Sequence, residues 1–134
     1  MDPIVVPVQI EPERIMNAMI SAIEHNHMTR AWCAGVYLVN SKRYADLDSL
    51  WYADTKLYDG RDFTIEIHEV PDEGEPEKTV KHRCHRKDLP IFLARMARKA
   101  PRHFADMVGE DGGDAITADV FLQFVAGFDE IRYG

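Results

Sequence analysis

The chain has 134 residues, 46% hydrophobic and 29% charged, with a formal net charge of −7. That length and balance describe one globular domain, residues 1–134, with a core that needs no staples. The acidic balance excludes a general nucleic-acid coat, and no apolar run approaches the ~20 residues that span a bilayer.

The opening stretch, "MDPIVVPVQIEPER", lacks a basic n-region and interrupts its apolar part with prolines, so it does not read as a secretion signal. A cytoplasmic location is expected. Residues 4–10 read as a short strand or extended arm, which Pro7 confines to an edge. Pro12 then opens a helix over about 12–25, with Ile15, Met16, Met19, Ile20 and Ile23 as its apolar stripe. Asn26 is its expected C-terminal stop. "AWCAGVYLV" (31–39) reads as a buried strand, with Cys33 a small core residue. Two cysteines do not make a disulfide scaffold.

"NSKRYADLDS" is turn-like, and Asp59–Gly60 is a strong hairpin dipeptide. In "FTIEIHEV" (63–70), Phe63, Ile65 and Ile67 alternate with Thr64, Glu66 and His68, the pattern of a half-exposed strand. "PDEGEPE" is a solvated loop, and "KTVKHRCHR" (78–86) is expected to pair back antiparallel. Val80, His82, Cys84 and Arg86 then share one face, and Thr79, Lys81, Arg83 and His85 the other.

Asp88 and Pro90 suit the start of a helix that turns Ile91, Phe92, Met96 and Ala97 inward. "RHFADMV" is a second short helix, "GEDGGD" a loop, and "ADVFLQFVAGF" a last helix capped by Thr117 or Asp114. The fold expected is α+β: a small antiparallel β-sheet packed against an N-terminal helix and two or three C-terminal helices.

Function concentrates attention on "KHRCHRKD" (81–88). From Lys78 to Arg102 the chain carries +8, while the remainder carries −15. An acidic chain with one basic segment can hold a small anion while repelling long polyanions. His82, Cys84 and His85, with His25 and His27, are metal-type side chains, but their spacing does not match zinc pairs. The surrounding cations also oppose a divalent ion. No metal and no cofactor is expected.

Arg83, Arg86 and Lys87 run straight into a helix start, where free N–H groups and arginine forks suit phosphate oxygens. A charged strand edge that resists aggregation explains the same residues, and both readings stand. Cys84 and His85 point to opposite faces of a strand, so they do not form a nucleophile–base pair. No catalytic signature is present, and a non-enzymatic protein is expected.

The segment "DAITADVFLQFVAGFDEIRYG" (114–134) resembles the ending of a family of small accessory proteins of tailed phages and prophages. Trp32, "WYAD" (51–54) and "PRHFAD" (101–106) resemble further family features. The chain departs from the family in "AGFDEI", where "FGEI" is usual, and in "HNHMTR", where a Gly-Gly turn precedes the Trp. The plan is also similar to phage sponges that trap the cyclic nucleotide signals of Thoeris and related defence systems.

The resemblance implies an oligomeric counter-defence protein that sequesters a nucleotide-like anion. Trp32 would then stack on a base, and Arg83, Arg86 and Arg95 would hold phosphates. An acidic inhibitor that contacts a host defence protein and a virion scaffold protein are the alternatives. The apolar tail residues Phe128, Ile131 and Tyr133 add an expectation of a homo-oligomer.

Overall fold

A computed structural model of the chain describes residues 1–71, 75–109 and 114–134. It is an α+β domain in which helices cover one face of a three-stranded antiparallel sheet.

Strands β1 (Cys33–Leu38), β2 (Thr64–Glu69) and β3 (Val80–His85) are ordered β1-β2-β3, with β2 central. The rungs align Leu38, Ile65 and Cys84, and then Val36, Ile67 and His82. Period-2 alternation buries Ile65, Ile67 and Glu69 of β2 while Thr64, Glu66 and His68 face the other side. The expected antiparallel pairing and alternation are present over Val80–His85, while Lys78 and Arg86 lie in 3-10 turns outside the strand. On the outer face Tyr37, Lys81, Arg83 and His85 are exposed.

The inner face joins a core organised on α6 (Ala115–Val125). Every residue from Thr117 to Val125 is buried. Around it pack α1 (Pro12–Ile23), the short α2 (His27–Arg30), α4 (Leu89–Lys99) and α5 (Pro101–Val108). A helix apolar almost all round belongs inside, and its few polar groups must then find partners. Asp114 caps α6 by accepting from the Thr117 N–H at 2.9 Å, one of the two caps expected there.

Several local expectations are corrected. Of the two readings of residues 4–10, the strand is absent and the arm outside the sheet is present. The left-handed residue after α1 is His25 (φ 53°), not Asn26; Asn26 bridges the two helices, its Nδ2 donating to the Ser21 carbonyl of α1 at 3.0 Å and its Oδ1 opening α2 by accepting from the Met28 and Thr29 N–H groups at 3.1 and 3.3 Å. Asp59–Gly60 ends α3 (Thr55–Tyr58) rather than joining two strands, because the preceding residues coil into helix.

Asp88 does not cap α4. It has helical angles (φ −93°, ψ −8°), since the chain enters α4 from a 3-10 turn at Arg86–Asp88 and not from an extended residue. Of the four residues expected inward, Met96 is buried and Phe92 packs against the core. Leu89, Leu93 and Met96 face inward, and Ile91 is 58% exposed. The expected loop at 71–77 falls partly, and that at 109–114 mostly, outside the described residues.

Phe128 is buried and Tyr133 packs against the core, so these two do not form an exposed apolar end; Ile131 is 40% exposed. The reason given above for a second copy is thereby removed. No helix among the described residues is long and apolar enough to cross a membrane.

Candidate functional site

The sheet geometry separates the members of "KHRCHRKD". His82 faces inward, its Nε2 lying 2.8 Å from Glu69 Oε1, while His85 faces outward, its Nδ1 lying 2.7 Å from Thr64 Oγ1. Cys84 is fully buried between them. Burial, with the Asp88 charge, pushes its thiol up to about 12. It is the opposite of an activated nucleophile. Among the described residues, no group of three or more His, Cys, Asp or Glu side chains is placed to hold a metal.

The five residues assigned above to a ligand are not brought together. Trp32 is 0% exposed. Its Nε1 donates to Asp119 Oδ1 at 2.8 Å, and its rings contact Phe128 and stack on Tyr133. A base therefore finds no open indole face; Trp32 is a core residue. Arg83 sits on the outer sheet face, its Nε donating to Glu66 Oε2 at 2.9 Å. Hydrogen bonds from His68 and Arg83 hold the Glu66 carboxyl below its usual range.

Arg95 lies at the C-terminal end of α6. It donates to the Gly127 and Phe128 carbonyls at 3.2 and 3.5 Å and lies 3.7 Å from Asp129. A cation suits that end of a helix, where carbonyls lack partners.

Arg86 and Lys87 remain, and they enter two different depressions. Arg86 lines a groove of about 740 Å³. One wall is the arm, with Val5, Val6, Val8 and Ile10; the other is α4, with Leu89, Pro90, Leu93, Ala94 and Ala97. Tyr58 and Phe63 also line it, and Arg98 adds a second guanidinium. The groove exists because α4 presents small residues at 90, 94 and 97 beside the larger Leu89 and Leu93. Its volume lies within the range of about 300–1,000 Å³ usual for small-molecule sites.

Lys87 instead lines a smaller polar cleft of about 190 Å³ at the outer end of the sheet, shared with Arg43 and His85. Phe63 lines both depressions.

Sequence reasoning missed Arg98 and Arg43. Arg98 was legible: it follows Pro90, Ala94 and Ala97 on one helical row. Arg43 was not, since only the strand register brings residue 43 near residue 87. Comparison with protein-family models, curated proteins and solved structures found no match to this chain. Fold and site define its class: an α+β domain with an apolar, arginine-bearing groove between an N-terminal arm and a helix.

Proposed function

We propose that this chain is a non-enzymatic binding protein that sequesters an anionic, nucleotide-like small molecule in the groove between the arm and α4. The observation that carries this reading is a ligand-sized apolar groove bearing two guanidinium groups, Arg86 and Arg98. Aliphatic walls and the Phe63 and Tyr58 side chains suit the flat body of a base. Two arginines suit the phosphate, to which each can offer paired N–H donors.

The tail's resemblance to small phage and prophage proteins supports a setting in counter-defence, where removal of a signal nucleotide needs tight binding and no turnover.

A thermal-shift titration with mono- and cyclic nucleotides tests the proposal. A ligand at 100 times its Kd should stabilise the protein by about 2.7 kcal/mol. Arg86→Ala with Arg98→Ala should remove the shift while leaving the unliganded melting curve nearly unchanged. A shift that survives both substitutions moves the ligand elsewhere, and the absence of any shift across the panel rejects the proposal.

A further inference from the structure

We infer that the polar cleft at the outer end of the sheet is a separate binding site for one phosphate-class oxyanion. It does not rest on the groove reading, since Arg43, His85 and Lys87 are absent from the groove lining.

The chain builds the cleft from two turns that leave the sheet on either side of β2. On one side the Val39 N–H donates to the Thr64 carbonyl at 2.9 Å, extending the ladder past β1. Asn40 then reverses the chain in the left-handed region (φ 56°, ψ 49°), which Asn tolerates better than most residues. The 3-10 turn Ser41–Tyr44 follows, closed by the Arg43 N–H on the Asn40 carbonyl at 2.9 Å. Tyr44 pins this turn to the start of β2 by donating its hydroxyl to the Asp62 carbonyl at 2.7 Å. On the other side the Arg86 N–H donates to the Phe63 carbonyl at 2.8 Å, and the turn Arg86–Asp88 carries Lys87. Both turns are therefore anchored on the consecutive residues Asp62, Phe63 and Thr64 at the entry to β2, which brings Arg43 and Lys87 to the same cleft.

Besides Tyr44, whose hydroxyl is engaged by the Asp62 carbonyl, its polar lining is Asn40, Arg43, Asp62, Thr64, His85 and Lys87. Among the described residues, neither Arg43 nor Lys87 has a side-chain hydrogen bond or ion pair. Thr64 Oγ1 lies 2.7 Å from His85 Nδ1. With the hydroxyl as donor there, the imidazole proton sits on Nε2, which becomes a further donor. A guanidinium, an ammonium, an imidazole N–H and an amide are together matched by a group with three or four oxygens. At about 190 Å³ the cleft takes a phosphoryl group but not a whole nucleotide. Asp62, exposed and also in the lining, is the one carboxylate there; it opposes an anion and leaves the cleft with one net positive charge while His85 is neutral.

The test is an amide NMR titration of the full chain with sodium phosphate, against sodium chloride at matched ionic strength. The site predicts saturable shifts confined to residues 39–44, 62–64 and 85–88, which chloride does not reproduce. Arg43→Ala with Lys87→Ala should weaken phosphate at least tenfold, and Asp62→Asn should tighten it. Non-saturable shifts, equal shifts with chloride, or undiminished affinity in the double variant would overturn the site. A parallel titration with AMP separates the sources. Shifts at the same residues that inorganic phosphate competes away identify a phosphate ester as a ligand, whereas a response to inorganic phosphate alone identifies the free ion. Because the groove test uses Arg86 and Arg98, failure of either site is seen independently of the other.

Discussion

The Tyr133 ring lies parallel to the Trp32 indole, at an interplanar angle of 2° with centroids 5.5 Å apart. The same two residues are tied into one polar network. Trp32 donates to Asp119, and the Tyr133 hydroxyl donates to Glu69 Oε2. Gln123 clamps the tail backbone: its Oε1 accepts the Arg132 N–H at 2.8 Å and its Nε2 donates to the Tyr133 carbonyl at 3.0 Å. The segment "RYG" is thereby sewn onto α6 and the sheet. Tyr133→Ala should cost about 2–4 kcal/mol, from the lost aromatic burial and an under-satisfied Glu69. Tyr133→Phe, which keeps the stack, should cost about 1–2 kcal/mol. Urea denaturation measures both; an alanine variant as stable as the parent contradicts the latch.

Asp119 is the polar centre of the buried helix. Its Oδ1 accepts from Thr29 Oγ1 and Trp32 Nε1 at 2.9 and 2.8 Å, and its Oδ2 from Gln123 Nε2 at 2.9 Å. Asp119→Ala strands three buried donors at once and should cost about 3 kcal/mol or more. Asp119→Asn keeps the shape but presents an amide N–H₂ to at least one of those donors, so it should also destabilise. Tryptophan fluorescence during unfolding reads this directly through Trp32.

Acid should loosen the tail. Burial raises the Glu69 carboxyl, but hydrogen bonds from Tyr133 and His82 and the Arg132 charge outweigh it and hold the group below its ordinary 4.5. A depressed carboxyl stabilises the fold fully above its unfolded value, and the contribution is lost as pH falls through the lower, folded value. Stability should therefore fall below about pH 4.5. Glu69→Gln should flatten that part of the profile and be less stable at neutral pH. Denaturation midpoints across pH for both proteins check this, and parallel profiles contradict it.

Both thiols should resist alkylation in the native protein. Cys84 is fully buried, and Cys33 is half-buried with its thiol directed to the Gly35 carbonyl at 3.4 Å. With thiols at about 12 and about 11, almost no thiolate is present at neutral pH. Iodoacetamide should label each at least tenfold faster after unfolding, and equal rates in the two states contradict the placement.

The hairpin of β2 and β3 was legible because one face is wet and the other dry, so its side chains alternate visibly. The burial of α6 was not legible to the same degree. Thr117, Asp119 and Gln123 are polar, yet all three are buried, with hydrogen bonds to His103, to Thr29 and Trp32, and to Tyr133 respectively. The inward face of α4 was legible in part: Met96 is buried and Phe92 packs against the core, whereas Ile91 is exposed and Leu89 and Leu93 are buried in its stead. A platform role for Trp32 came only from the resemblance to nucleotide-trapping proteins, and an indole suits either a base or a core. Asp119, on a helix 87 residues later, and the Phe128 and Tyr133 rings of the tail decide for the core. The basic segment was visible, but its division between groove and cleft depends on Phe63 and on the register of three strands.

Native mass spectrometry of the full chain incubated with mono- and cyclic nucleotides tests the central claim most directly. The account predicts a mass increment of one nucleotide-like ligand per chain, lost on Arg86→Ala with Arg98→Ala and retained on Arg83→Ala, whose guanidinium is already held by Glu66. A chain that stays free of ligand across the panel, or that keeps the ligand without Arg86 and Arg98, would contradict it.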